Sequence, residues 1–135
     1  MTAPVATAQP IIDALKGALT TAGVALGDGV KPAGATTRYI VAWFDAGTVT
    51  DASLRARDGF DVVGTFHCYG QTPEAARFAH RALTGAVLAL RGQPVGDRHV
   101  LAPEQLTSLP LQRDDDASPP LFDAVCEWRI PTCPA

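Results

Sequence analysis

Apolar residues return at three- and four-residue steps through Ile12, Leu15, Leu19 and Ala22, with Asp13 and Lys16 between them. That spacing predicts an amphipathic helix. Pro10 suits its first turn, where a missing N–H costs little, and Gly23 suits its C-terminal end. Val24-Ala25-Leu26 starts a short extended piece, followed by a loop punctuated by Gly27, Gly29, Pro32 and Gly34. Tyr39 to Phe44 is β-branched and aromatic and reads as a strand apolar on both faces. From Phe60 to Tyr69 the period becomes two. Phe60, Val62, Gly64, Phe66 and Cys68 share one face, and Asp61, Val63, Thr65, His67 and Tyr69 the other. Gly70 ends that strand, and Thr72-Pro73-Glu74 opens a second helix running to about Leu90. Its stripe of Ala76, Ala79, Leu83, Ala86, Val87 and Leu90 is rich in alanine, which lets it approach a sheet closely.

Beyond the turn at Gly92-Gln93-Pro94, the segments Arg98 to Leu101 and Leu106 to Gln112 read as short strands separated by Ala102-Pro103-Glu104. Phe122, Ala124, Cys126, Trp128 and Ile130 alternate with Asp123, Val125, Glu127 and Arg129 in a half-buried strand that Pro131 and Pro134 are expected to end. Asp45 to Gly59, with Asp51, Arg55, Arg57 and Asp58, carries no clean period and is expected to form a projecting loop or hairpin (45–59). The order of helix, strands, helix, strands predicts an α+β fold. It would be a single domain over 1–135, a mostly antiparallel mixed sheet with two α-helices packed on one face.

With 135 residues, 47% hydrophobic and 19% charged, the chain can bury a core and is not composed like a disordered one. A net charge of -3 and no Lys/Arg block argue against a protein that grips nucleic acid by its phosphates. Cys68, Cys126 and Cys133 form no CxxC pair and are odd in number, which argues against a disulfide framework and for a reducing compartment. A zinc site would need His67, His80 or His99 as well, and His67 and Cys68, as strand neighbours, point to opposite faces. The first residues lack a positive segment and a long apolar run, so neither a signal peptide nor a membrane span is expected.

Chemistry concentrates in Arg113-Asp114-Asp115-Asp116, just before Pro119-Pro120. One reading is a Mg²⁺-dependent nuclease that binds metal through Asp114, Asp115, Asp116 and Glu127. The favoured reading is a solvated or interface-forming acidic loop, because adjacent side chains rarely converge on one ion and no lysine or histidine accompanies them. No GxSxG, HExxH or GxxxxGK[ST] motif is present, and no enzyme activity, cofactor or metal is expected. Cys126 reads as core, His80 as surface or rim, and Trp43 and Trp128 as core anchors.

The pattern Arg113-Asp114-Asp115-Asp116-x-x-Pro119-Pro120-x-Phe122-x-Ala124-Val125-x-Glu127-x-Arg129 resembles the C-terminal motif of tail terminator proteins from phages of actinobacteria. Asp28-Gly29-Val30-x-Pro32 before Tyr39-Ile40-Val41, and Tyr69-Gly70 before Thr72-Pro73-Glu74-Ala75-Ala76, are similar to that family's first loop and strand and to its second helix opening. The family often has an aromatic residue where this chain has Asp123, and an acid where it has Cys126. The resemblance implies a structural virion protein assembled in the bacterial host cytoplasm. It would be a homo-hexameric ring that caps the tail tube, ends tube polymerisation and presents the head–tail joining surface. Its implied partners are other copies of itself, the tail tube protein and the head–tail connector or stopper, with DNA only passing through the lumen. A head-completion or stopper neck protein is the alternative within that class. Arg113, Asp114, Asp115, Asp116, Arg55 and Arg57 are the candidate assembly-interface residues.

Overall fold

The computed structural model describes residues 7–34, 37–51 and 59–134. Helix α1 (Gln9–Thr21) carries Pro10 in its first turn and buries Ile11, Ile12, Leu15 and Leu19. Gly23, with φ 81°, takes the left-handed conformation that terminates it, and the Val24 N–H reaches back to the Leu19 carbonyl at 2.9 Å. Helix α2 (Pro73–Ala89) is capped by the Thr72 hydroxyl, which accepts from the Ala75 N–H at 3.1 Å.

The strands are β1 (Ala25–Asp28), β2 (Arg38–Phe44), β3 (Thr48–Asp51), β4 (Gly59–Gly70), β5 (Pro94–Val95), β6 (Arg98–Val100), β7 (Glu104–Ser108), β8 (Gln112–Asp114) and β9 (Leu121–Pro134). They form one sheet ordered β1-β2-β4-β9-β6-β5, with β3 also on β4 and with β7 and β8 also on β9. β1 and β2 run parallel, and the other pairings are antiparallel. α2 packs on β2, β4 and β9, while α1 packs on β1, β5 and α2. Two helices therefore cover one face of a mixed, mostly antiparallel sheet, and the fold is α+β. Among the described residues no helix is long and apolar enough to cross a membrane.

The alternation of β4 and β9 decides which face is buried. Phe60, Val62, Phe66 and Cys68 from β4 meet Ala124, Cys126, Trp128 and Ile130 from β9 beneath the helices. Ala76 and Ala79 of α2 are fully buried against them, as their small side chains allow. Gly64 leaves room for the edge-on contact of Phe44 and Phe66, whose centroids are 5.4 Å apart; a Cβ there would sit 2.8 Å from the Phe66 ring. The Arg38 guanidinium lies 3.9 Å from the Phe78 ring centroid and ties β2 to α2. Thr132 is 1% exposed yet satisfied: its hydroxyl donates to the Phe60 carbonyl and accepts from Arg98 Nε, both at 2.8 Å.

Four expectations need correction. Trp43 is not a core anchor but 56% exposed. Ile40 and Ala42 take the inward positions of β2, which sends Trp43 to the opposite face, against Gly29. Pro131 does not end β9, which continues to Pro134. The Leu101 N–H donates to the Pro131 carbonyl at 2.8 Å, so the missing Pro131 N–H also faces the passage from β6 to β7, and no bond to β4 is lost. The strand expected over Leu106 to Gln112 is divided between β7 and β8, and Glu104 belongs to β7. Asp114 lies in β8, so the acidic run begins within the sheet and only then enters a turn.

Gly70 passes close beneath the start of α2, where a Cβ would lie 2.3 Å from the Ala76 backbone nitrogen. Gly70→Ala is expected to lower unfolding stability by about 1–3 kcal/mol, because backbone must move to admit it. A chemical-denaturation midpoint equal to that of the wild type contradicts this packing.

Candidate functional site

The acidic motif occupies the hairpin that joins β8 to β9. Gln112, Arg113 and Asp114 pair with Asp123, Phe122 and Leu121. Arg113 forms an ion pair with Asp115 and lies 6.0 Å from the Phe122 ring centroid. Both charged groups are well exposed, so the pair contributes little to stability. The Asp114 carboxylate accepts from the Asp116 N–H at 3.0 Å, a local bond that shapes the turn. The structure therefore brings Arg113, Asp114, Asp115 and Asp116 together. Arg55 and Arg57, with the tip of the expected 45–59 projection, lie outside the described residues. The first part of that projection is β3, antiparallel to β4 from Thr48↔Asp61 to Asp51↔Gly59.

Glu127 is not part of this cluster. It sits six residues along β9 from the Asp114 partner Leu121, about 20 Å at the usual rise per strand residue. It accepts instead from the Thr65 hydroxyl at 3.3 Å. Among the described residues no three His, Cys, Asp or Glu side chains are grouped so as to hold a metal ion.

Next to the hairpin, the face of the sheet away from the helices carries a polar and aromatic cluster. The Asp123 carboxylate accepts from His67 Nδ1 at 2.8 Å, joining β9 to β4. The His67 and Tyr69 rings stack at 5.9 Å, Tyr69 and Tyr39 lie 5.2 Å apart, and Lys31 Nζ is 5.2 Å from the Tyr39 centroid. A cavity of about 280 Å³ opens here, lined by Lys31, Tyr39, Gln71, Ser118 and Pro119 among others. Burial, and then the negative charge of Asp123, push the Tyr69 hydroxyl up to about 12. Tyr39 is raised by burial and by Asp114 and Asp123, so both phenols stay neutral beside the acids. No local sequence signal announces the His67–Asp123 contact, because the two residues are 56 positions apart.

A second cluster lies under α2. Cys68 and Cys126 are fully buried on the inner face, and His80, on the β9 flank of α2, faces Cys126. Hydrogen bonding from Cys68 lowers Cys126, with burial opposing it and His80 assisting. Hydrogen bonding to Cys126 and burial raise Cys68. Cys126 is thus a core residue, as its place on the strand predicts, and His80 stands half-buried at the rim.

No family model and no curated protein matches the chain. Its fold matches a chain from the virion of a native gene transfer agent particle, with a TM-score of 0.52 and 16% identity, over 85% of this chain and 83% of that one. The likeness is one of fold.

Two outcomes follow from this geometry. In native protein an alkylating reagent is expected to label half-buried Cys133, while Cys68 and Cys126 react only on unfolding. Mass spectrometry of the labelled peptides checks this, and rapid native labelling of Cys126 contradicts its burial. Burial also raises the Asp123 carboxyl, partly offset by His67. A carboxyl raised on folding stabilises below its unfolded pKa, and that contribution is lost as pH rises through the raised value. Unfolding stability is therefore expected to carry a falling component just above the ordinary carboxylate range. Asp123→Asn should remove part of that slope in denaturation curves at stepped pH, while Asp61, also raised, retains the rest.

Proposed function

We propose that the protein is a structural component of a virion, and specifically a tail terminator that closes the tail tube as a homo-hexameric ring. The observation that carries this reading is the fold shared over most of both chains with a virion chain. The Arg113-to-Arg129 motif, with its resemblance to tail terminators, supplies the more specific assignment. On this reading the work is done by surfaces, and no substrate is turned over.

The physical requirements of such a role fit the molecule. A closed ring needs one patch that meets a different patch on the next copy. A subunit that ends polymerisation must bind the tube on one side and refuse further tube subunits on the other. Charged hairpins serve both tasks, since like charges reject wrong partners and opposite charges fix register. The β8–β9 hairpin is exposed, dense in charge and stiffened by Pro119-Pro120. The partners on this reading are further copies, the tube protein and the head–tail connector, with DNA passing through the lumen.

The deciding experiment is electron microscopy of the protein mixed with purified tail tubes. Rings seated on tube ends, with tube growth arrested, are expected. Binding to the connector without binding to tubes overturns the terminator assignment in favour of a head-completion or stopper protein. Replacing Asp114, Asp115 and Asp116 together with alanine is expected to impair ring assembly or tail joining while leaving the thermal melt nearly unchanged, because these side chains are exposed. Metal-dependent DNA cleavage that disappears in the same variant would instead establish the nuclease reading.

A further inference from the structure

A basic groove runs along the outer flank of α2. Arg77 and Arg81 are one helical turn apart, so their guanidinium groups share one side of the helix. Both are exposed, and neither makes an ion pair or hydrogen bond among the described residues. With His80 and Glu74 they line a cavity of about 500 Å³. Two adjacent guanidinium forks that form no ion pair among the described residues, even with Glu74 in the same groove, are suited to bidentate recognition of carboxylates.

The densest run of carboxylates in the chain is Asp114-Asp115-Asp116. It lies on the other side of the sheet. The turn residues Ser118 and Pro119 line a cavity with Tyr39, which points away from the core side chains Ile40 and Ala42. α2 covers the opposite, core face. One copy therefore presents acid on one face and base on the other, and the hairpin is not placed to fill its own groove. The stiff Pro119-Pro120 approach reduces the ordering cost of inserting such a hairpin into a neighbour. The Asp116 carboxylate has no partner among the described residues and is available for the contact.

We propose that the Arg77–Arg81 groove on α2 is the docking site for the Asp114–Asp116 hairpin of a second copy of this chain, in a repeating head-to-tail contact. The proposal rests on the ring-forming reading above and names its subunit contact. The two patches differ, so each copy uses one and offers the other, and the contact propagates until it closes. Its strength depends on charge, so it weakens as salt rises.

Two variants test it: one carrying D114N, D115N and D116N, which retains only the groove, and one carrying R77E and R81E, which retains only the hairpin. All these positions are exposed, and unchanged circular dichroism melts verify folding. Sedimentation at millimolar protein and low salt is expected to show salt-sensitive self-association of the wild type. Each variant alone should associate more weakly, on the order of tenfold or more for lost charge-assisted bonds. An equimolar mixture should form one-to-one pairs and stop there, since a pair retains no second complementary contact. A monomeric wild type, variants that associate as the wild type does, or a mixture that fails to pair overturns the contact. Tube capping separates the two readings: capping by the wild type without this pairing sinks the contact alone, and failure of the wild type to cap sinks the functional reading.

Discussion

β4 and β9 pair without interruption from Phe60↔Thr132 to Gly70↔Phe122, and the other elements take their positions from that ladder. On its β4 side it holds β2 and β3, and on its β9 side β6, β7 and β8. Because side chains alternate across a strand, the same ladder defines two surfaces. A one-residue slip would send Phe66, Cys126 and Ile130 to the exposed face and bring His67, Asp123 and Arg129 under the helices. The burial of the first set, and the pairing of the second, hold the register from both sides.

The inner surface is apolar and closed by alanine-rich α2, whereas the outer surface carries polar pairs between strands. Thr65–Glu127 and His67–Asp123 span β4 and β9, and Arg129 reaches both Glu104 and Asp61. The exposed pairs add little to stability in water. The His67–Asp123 pair holds the Asp123 carboxylate beside the β8–β9 hairpin, where burial and then the charges of Asp114 and Asp123 raise the pKa of Tyr39. The outer face is thus charged and aromatic, with the cavity beside Tyr39 opening onto it.

Sequence patterns exposed the elements whose signals are local. Thr72-Pro73-Glu74 located the α2 start because capping and dipole chemistry act within one turn. The period of β4 and β9 revealed their buried rows because each has one wet face. The outward turn of Trp43 leaves no trace in the sequence, because β2 is apolar on both faces and nothing in Tyr39 to Phe44 says which parity meets the helices. The boundaries of β7 and β8 were illegible because Glu104–Ser108 and Gln112–Asp114 are largely exposed, and their pairing with β9 rather than a hydrophobic period holds them. The acidic run was visible at once. Its insertion into the sheet, the His67–Asp123 contact and the flank that His80 occupies depend on residues far apart in sequence and required the folded chain.

Pro131 leaves a seam in the sheet. Where its nitrogen lacks a proton, the flank beside β9 passes through Leu101 to Pro103 with no strand, and resumes as β7 at Glu104. The β4 side of β9 is one unbroken run of cross-strand bonds and should open only with the whole fold. The other side consists of two separately anchored pieces. Fraying that starts at the β5–β6 corner can therefore stop at the seam before it reaches the β7 strand. Amide protons of β6 can exchange by a local opening that leaves β7, β8 and the hairpin between β8 and β9 in place.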